Sequence, residues 1–164
     1  MKLRQLQFIA IFLLTLVTGV FWGTWFGLSR SIASISPATY VETGHTIFGN
    51  LAGPMRILFP AALLSNLGVL IGLFRQRSGN TIGGTFHLHL AGLLLFVAAL
   101  IVSLLVNVPI DEQVKQWTIS TLPANWQEIR DRWQFYHTVR TFASLGGLAL
   151  ILAGTLFFDD EQAD

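Results

Sequence analysis

The sequence predicts an all-α protein, an integral membrane four-helix bundle with a surface helix in the first long connection and an extended fourth helix. The chain is 52% hydrophobic and only 12% charged, whereas soluble domains carry about 25% charged residues. Four stretches contain no charged residue, namely 5–29, 57–74, 78–110 and 141–158. Because an α-helix needs about 20 apolar residues to cross a bilayer, we predict one domain over 1–164 with four spans.

The first span is predicted over residues 7–28. Its apolar run reaches Leu28 without a small-residue cleavage site, so we expect it to be retained and not removed as a signal peptide. Gly19, Gly23 and Gly27 lie four residues apart along it. Strips of small residues let membrane helices approach closely, so we expect this strip to be structural.

The surface helix is predicted in the connection that follows. Ser36 and Pro37 are a typical N-cap and first helical residue. We expect this helix to end near Gly49, before a break at Pro54. The second span is then predicted over 55–74.

The third span is predicted over 85–108 and is expected to end at Asn107 and Pro109. The fourth helix opens after Asn125 and contains a span at 135–158. At 1.5 Å per residue this helix is roughly 50 Å long, so it projects beyond the bilayer at its N-terminal end.

The distribution of basic residues predicts the orientation. Lys2 and Arg4 precede the first span, and Arg75 and Arg77 lie in the short polar turn at 75–80. Basic residues concentrate in cytoplasmic segments. We therefore predict cytoplasmic N- and C-termini in the plasma (inner) membrane, with both long connections on the opposite side.

Composition also excludes several classes of function. The net charge is +1 and there is no basic run, so nucleic acid is not an expected partner. The chain has no cysteine, which excludes disulfides, thiol catalysis and thiolate metal sites. The expected partners are the lipid bilayer, a lipophilic small molecule, and a second copy or another subunit of a membrane complex.

A polar and aromatic stripe marks the fourth helix. Its members are spaced by three or four residues, which places them on one helix face. They are Trp126, Arg130, Trp133, His137, Arg140 and Ser144. Charged residues inside membrane segments are costly and indicate a functional site. His137 is a candidate general base or ligand, and Arg140 a candidate oxyanion stabiliser; alternatively Arg140 reaches the headgroups or pairs with Glu42.

Further candidates fall on the same side of the membrane as the stripe, where an apolar cavity with a few polar groups is typical of a small-molecule site. They are Trp22, Trp25, Glu42, His45 and Asn107. Trp22 and Trp25 form either a pocket wall or an interfacial belt. The same two alternatives, stacking on an aromatic ligand or belonging to a belt, hold for Trp126 and Trp133.

A metal or haem site is a second interpretation of the histidines. Glu42 and His45 have i, i+3 spacing and share a helix face. With His137 they would supply two histidines and one carboxylate, the ligand set of non-haem iron sites. His45 and His137 could instead be axial haem ligands. Otherwise no cofactor is expected.

Two other histidines are assigned no function. His87 and His89 lie two residues apart, so on a helix they point to nearly opposite sides. We expect both to lie at the membrane interface. Asn66, in the middle of the second span, is expected to hydrogen-bond between helices.

The third and fourth helices resemble a known family. The pattern consists of an N-x-P at Asn107 to Pro109 followed by a W…R-x-x-W-x-x-x-H-x-x-R series from Trp126 to Arg140. It resembles the family of small four-helix membrane proteins that includes the anthrone oxygenases, and the P-x-x-Y segment from Pro37 agrees with this. The resemblance implies oxidation of a tricyclic aromatic polyketide at an activated methylene, without an organic cofactor.

The resemblance also implies roles for named residues. His137 would remove a proton from a carbon acid, and Arg140 and Asn107 would stabilise the resulting enolate. Tryptophan walls would hold the flat substrate. If the protein is an enzyme, the resemblance therefore implies a cofactor-independent monooxygenase.

Two other functions stay open from the residues alone. One is a non-catalytic membrane protein that binds haem, quinone or another apolar ligand. The other is a structural subunit of a membrane complex, which the glycine strips and short chain would suit.

The substrate-binding candidates in the catalytic hypothesis are Trp22, Trp25, Glu42, His45, Trp126, Arg130 and Trp133.

Overall fold

The computed structural model describes residues 2–76 and 83–158, and these are helical with short connections. Six α-helices follow one another in chain order within these described ranges. They are α1 (Leu3–Thr24), α2 (Pro37–Thr43), α3 (Gly49–Arg75), α4 (Gly84–Val102), α5 (Val108–Val114) and α6 (Trp126–Phe157). Most of the predicted polar turn at 75–80 lies outside the described residues.

The helices join into four long segments that confirm the predicted membrane architecture. Three π-helical turns, at Trp25–Ser29, Gly44–Phe48 and Ser103–Asn107, continue α1, join α2 to α3 and join α4 to α5. Within the described part of the chain, four segments are long and apolar enough to cross a membrane. They are Leu3–Ser34, Pro37–Arg75, Gly84–Val114 and Trp126–Phe157.

The start of the surface helix is confirmed, but its predicted end is wrong. The Ser36 hydroxyl accepts a hydrogen bond from the Thr39 backbone N–H, and Pro37 occupies the first turn. The chain then stays helical through Pro54 and Pro60, both of which lie inside α3. In an apolar environment the remaining backbone groups have no water to bond, so the helix persists around each proline.

The expected end of the third span at Pro109 is also wrong. The helix continues as α5 to Val114, with the π-helical turn Ser103–Asn107 directly before the proline. A proline ring crowds the carbonyl four residues earlier. Here that carbonyl belongs to Leu105, inside the wider π-helical turn, which explains how the helix accommodates Pro109.

The helices pack mainly as two pairs, α1 with α3 and α4 with α6. Between α4 and α6 the backbones approach closely at Gly92 and Gly147. A Cβ added to Gly92 would lie 2.7 Å from the Gly147 carbonyl oxygen. By contrast, a Cβ at Gly19, Gly23 or Gly27 would meet no atom of the described chain within 4 Å. These three glycines therefore do not mediate close helix packing within the described bundle, and their structural role stays a prediction.

The interfacial position predicted for His89 is wrong as well. His89 is fully buried, and its Nδ1 lies 2.8 Å from Oδ1 of Asn66 on α3. Its Nε2 lies 3.0 Å from the Thr155 hydroxyl on α6. This network joins three helices and confirms the interhelical role expected for Asn66.

An aromatic cluster covers the end of the bundle where α2 and α5 lie. Tyr40, Trp117 and Trp133 are buried there, and Tyr40 lies 5.6 Å from Trp126 between ring centroids. The cluster fixes the N-terminal half of α6 against the two short helices. It therefore positions the stripe of α6 that the sequence singled out.

Candidate active site

A cavity of about 300 Å³ lies between the two helix pairs, at the lower end of the size range of small-molecule pockets, about 300–1,000 Å³. The α1–α3 pair supplies a mainly apolar wall. Its large side chains are Phe21, Phe48, Leu51, Met55 and Phe59. The other wall carries most of the polar groups, which come from α4, α5 and α6. They are Ser103, Asp111, Trp133, His137 and Arg140, with Glu112 and Lys115 nearer the surface.

Arg140 lies at the buried end of the cavity. Its Nε donates a hydrogen bond to Nδ1 of His137 at 3.0 Å, and Nη1 donates to the Ser103 hydroxyl at 3.1 Å. Its guanidinium carbon also lies 4.6 Å above the centre of the Phe21 ring. Among residues 2–76 and 83–158, no carboxylate lies within 4.0 Å of it. Arg140 is therefore a buried cation without a direct salt bridge in the described chain, and the Asp111 carboxylate, which lines the same cavity, acts on it from a longer distance.

The hydrogen bond from Arg140 fixes the tautomer of His137. A guanidinium N–H can only donate, so Nδ1 must accept, and the neutral ring then carries its proton on Nε2. His137 is fully buried, and Nε2 makes no hydrogen bond of good geometry among the described residues, although the Phe21 backbone interacts with the ring. Within the described chain, the site therefore holds an N–H donor without a well-formed hydrogen bond next to a cation without a direct salt bridge.

Trp133 links His137 to a carboxylate. Its ring stacks on the His137 ring with centroids 4.8 Å apart and an interplanar angle of 12°. Its Nε1 donates a hydrogen bond of 2.7 Å to Oδ1 of Asp111. The Trp133 side chain thus lies between the Asp111 carboxylate and the His137 ring and holds the carboxylate at the cavity.

Charged side chains mark the outer end of the cavity. Arg56 on α3 and Glu112 on α5 approach to 4.0 Å and are well exposed, at 74% and 50%. Lys115 pairs with the same Glu112 carboxylate at 2.8 Å. The cavity thus runs from an ionic mouth to a buried polar end, with apolar and aromatic walls between.

A family model described as anthrone oxygenase matches residues 45–150. The chain belongs to the anthrone oxygenase family. The match covers more than half of the chain and confirms the resemblance seen in the sequence. No curated protein and no solved structure matches the chain.

In this anthrone oxygenase family member, three of the predicted site residues share the cavity: Trp133, His137 and Arg140. Asn107, expected to stabilise an enolate, does not line it. Asn107 is fully buried, and its Nδ2 donates to the Trp133 carbonyl at 3.1 Å. It therefore supports the site by holding α6 against the π-helical turn.

Trp126 and Arg130 do not line the cavity either. The Arg130 guanidinium pairs with Asp131 at 2.8 Å and lies 5.1 Å from the Trp126 ring centre. Trp126 packs in the aromatic cluster with Tyr40. The two residues belong to the same stripe as His137, but lie nearer the N-terminus of α6, outside the cavity.

Trp22 and Trp25 lie on a different surface of the bundle. Their rings stack on each other at 5.2 Å, and both pack edge-on against Phe142. Nε1 of Trp25 donates to the Thr138 hydroxyl at 3.0 Å. Trp22 and Trp25 therefore do not form a wall of the cavity, and the interfacial belt stays a prediction.

The predicted metal ligands are not brought together. Glu42 and His45 line a shallow groove with Trp117, whereas His137 lines the cavity. In the described ranges, no group of three or more His, Cys, Asp and Glu side chains is arranged to hold a metal ion. Neither the non-haem ligand set nor the pair of axial histidines is assembled here, and Arg140 does not pair with Glu42.

Sequence reasoning missed Asp111 and Ser103. Ser103 lies in an uncharged run, where a lone serine carries no signal. Asp111 comes after Pro109, the expected end of the third span, and only the continuation of the helix past this proline places it beside the cavity. Asp111 directly follows the uncharged run at 78–110. A carboxylate at the end of a predicted span is the one signal that could have identified it.

Proposed function

We propose that the protein is a cofactor-independent oxygenase that uses dioxygen to convert an activated methylene of a flat, lipophilic aromatic molecule into a ketone. One observation carries the proposal: Arg140 is a buried cation with no carboxylate within 4.0 Å in the described chain, at the polar end of an apolar cavity. A buried unpaired charge is costly. The cavity is therefore suited to an anion that forms during the reaction.

The anion is the enolate of the substrate. Arg140 and the Nε2–H of His137 donate hydrogen bonds to its oxygen, as in other sites that stabilise developing negative charge. Phe21, Phe48 and Phe59 supply aromatic walls for a flat ring system. These groups stand in place before the substrate binds, so little reorganisation is needed.

Asp111 is the base in this proposal. The sequence predicts that role for His137, but Nδ1 of His137 is occupied by the Arg140 donor and Nε2 carries the proton. A second proton on the ring would place an imidazolium beside the guanidinium. Asp111 lines the cavity, and Trp133 holds one of its oxygens, leaving the other available to accept a proton.

The reaction is balanced with dioxygen as the only co-reactant. Asp111 takes one proton from the methylene, and the resulting carbanion combines with dioxygen to form a carbon-bound peroxide anion. This anion takes up a proton to give the hydroperoxide. Loss of the second methylene proton and cleavage of the O–O bond then give the ketone and water. One oxygen atom of dioxygen enters the product and the other leaves as water.

The test is turnover of 9-anthrone by the protein in lipid nanodiscs under ¹⁸O₂, against protein-free nanodiscs. We expect anthraquinone with one ¹⁸O atom. Arg140→Met should lower kcat by about 10²–10³-fold, the loss typical of a removed oxyanion donor. Arg130→Met is the matched control, since Arg130 lies on the same stripe but outside the cavity.

Two results would contradict the proposal. One is no anthraquinone above the protein-free rate, and in that case copurification or tight binding of an apolar ligand would favour the carrier hypothesis. The other is equal turnover by wild type and Arg140→Met. The plasma-membrane location, the cytoplasmic termini and a second subunit stay predictions of the sequence.

A further inference from the structure

Two rows of side chains face each other across the cavity. One row is on α3 and the other runs from the π-helical turn Ser103–Asn107 into α5, each with a spacing of four residues. They are Ala52, Arg56 and Pro60, opposite Leu104, Val108 and Glu112. Residues four apart lie on the same helix face. The two rows are therefore the two edges of one slot that opens the cavity sideways, between the helices.

The slot is open because the two helices diverge along it. Helix α3 packs against α4 near the short turn, where Asn66 meets His89, but only sparsely against Ser103–Asn107 and α5. Its edges reach the outer surface of the bundle. Leu104 is 57% exposed and Val108 37%, and Pro60 is also exposed.

Both edges of the slot contain a helix irregularity. Pro60 has no N–H, so the carbonyl of Arg56 lacks its usual helical partner. On the other side, Leu104 lies in the π-helical turn Ser103–Asn107. Prolines and π-helical turns are the usual points at which long helices bend. The edges are thus formed by the parts of the two helices that bend most readily.

We propose that this slot is the entrance through which a flat aromatic substrate dissolved in the bilayer reaches Arg140, and that the Arg56–Glu112 ion pair closes its outer end. The proposal rests on the function proposed above. Apolar side chains on the edges, Pro60, Leu104 and Val108, suit a molecule that arrives from lipid and not from water. The ion pair bridges the two edges beyond Val108, where the cavity becomes exposed.

A chemical block at one edge tests the entrance. The chain has no cysteine, so Leu104→Cys carries a unique thiol that a bulky maleimide can modify after assembly in nanodiscs. Leu105→Cys is the matched control, since Leu105 is the next residue, is 71% exposed and does not line the cavity. The readout is the rate at which bound radiolabelled anthraquinone exchanges with unlabelled anthraquinone.

We expect the adduct at position 104 to slow exchange by about tenfold or more, as blocked gates do, and the adduct at 105 to change it little. Arg56→Met should speed exchange by up to about fivefold, because an exposed ion pair is weak. Equal exchange rates for the two adducts would contradict the proposed entrance but would leave the oxygenase proposal intact. If the unmodified protein neither binds anthraquinone nor oxidises 9-anthrone, both proposals fall.

Discussion

Arg140 donates its Nε hydrogen to Nδ1 of His137 over 3.0 Å, from a position three residues further along α6. The contact sets the imidazole in one tautomer and one orientation. It also keeps the ring neutral, since a second positive charge would lie beside the guanidinium. Arg140 and the neutral His137 thus act together as two hydrogen-bond donors to the cavity.

Two substitutions of His137 distinguish a role as hydrogen-bond donor from a role as general base. Glutamine at this position can accept from Arg140 and still present an N–H, whereas alanine can do neither. We expect His137→Ala to lower kcat for 9-anthrone by about 10²-fold, as for one lost oxyanion donor, and His137→Gln to retain clearly more activity. Equal losses in the two variants would indicate that His137 is the base. His45→Ala, in the separate groove, is the control.

Replacing Asp111 isolates the proton-transfer step. Asp111→Asn keeps an oxygen that can accept from Trp133 Nε1 but removes the basic carboxylate. Without dioxygen, the protein should catalyse exchange of the methylene protons of 9-anthrone with deuterated water, measured by NMR. We expect the variant to lose about 10²–10⁴-fold in this exchange, the usual contribution of a general base.

A neighbouring aspartate provides the control for that measurement. Asp131→Asn removes a carboxylate that pairs with Arg130 outside the cavity, and exchange should stay at the wild-type rate. Wild-type exchange in Asp111→Asn would assign the base elsewhere, and His137 would then be the next candidate.

Asn66 should matter for stability and not for turnover. Asn66→Ala leaves Nδ1 of the buried His89 without a partner, which costs about 1–3 kcal/mol of unfolding free energy. Thermal unfolding in detergent measures the loss. Ser65→Ala is the matched control, because the Ser65 hydroxyl bonds only the Ala61 carbonyl of its own helix. An unfolding temperature unchanged in Asn66→Ala would contradict the role given to this network.

The contact between Gly92 and Gly147 makes a second stability prediction. A Cβ at Gly147 would lie 2.9 Å from both the Gly92 carbonyl oxygen and the Phe96 ring. Gly147→Ala should therefore destabilise by about 1–3 kcal/mol through overpacking. Gly19→Ala meets open space, and we expect it to be neutral or stabilising by up to about 1 kcal/mol. The same unfolding assay measures both variants. If Gly19→Ala proved less stable than Gly147→Ala, the packing of α4 against α6 at these glycines would be contradicted.

Hydropathy and helical periodicity were enough to predict the fold class, the four spans and the single face of α6 that carries His137 and Arg140. These features follow from local sequence and from the solvent preference of each segment. The start of α2 at Pro37 was equally predictable, because an N-cap serine and a first-turn proline act locally.

The errors arise where tertiary surroundings override a local rule. In water a proline commonly ends a helix, because the freed backbone groups can bond to solvent. Within an apolar bundle they cannot, and the helices continue through Pro54 and past Pro109. The placement of Asp111, and the separation of His45 from His137, depend on that continuity. Which of several regularly spaced glycines meets another helix depends on the neighbour, which no single sequence shows.

The two walls of the cavity come from different helix pairs and have different compositions. Helices α5 and α6 carry Asp111, His137 and Arg140, while the α1–α3 pair contributes mostly hydrocarbon and aromatic surface. Reaction chemistry and substrate shape are thus encoded in separate parts of the chain. Leu51 and Met55 are accordingly the positions at which to engineer substrate range, since they can be resized without altering a group that handles protons or charge.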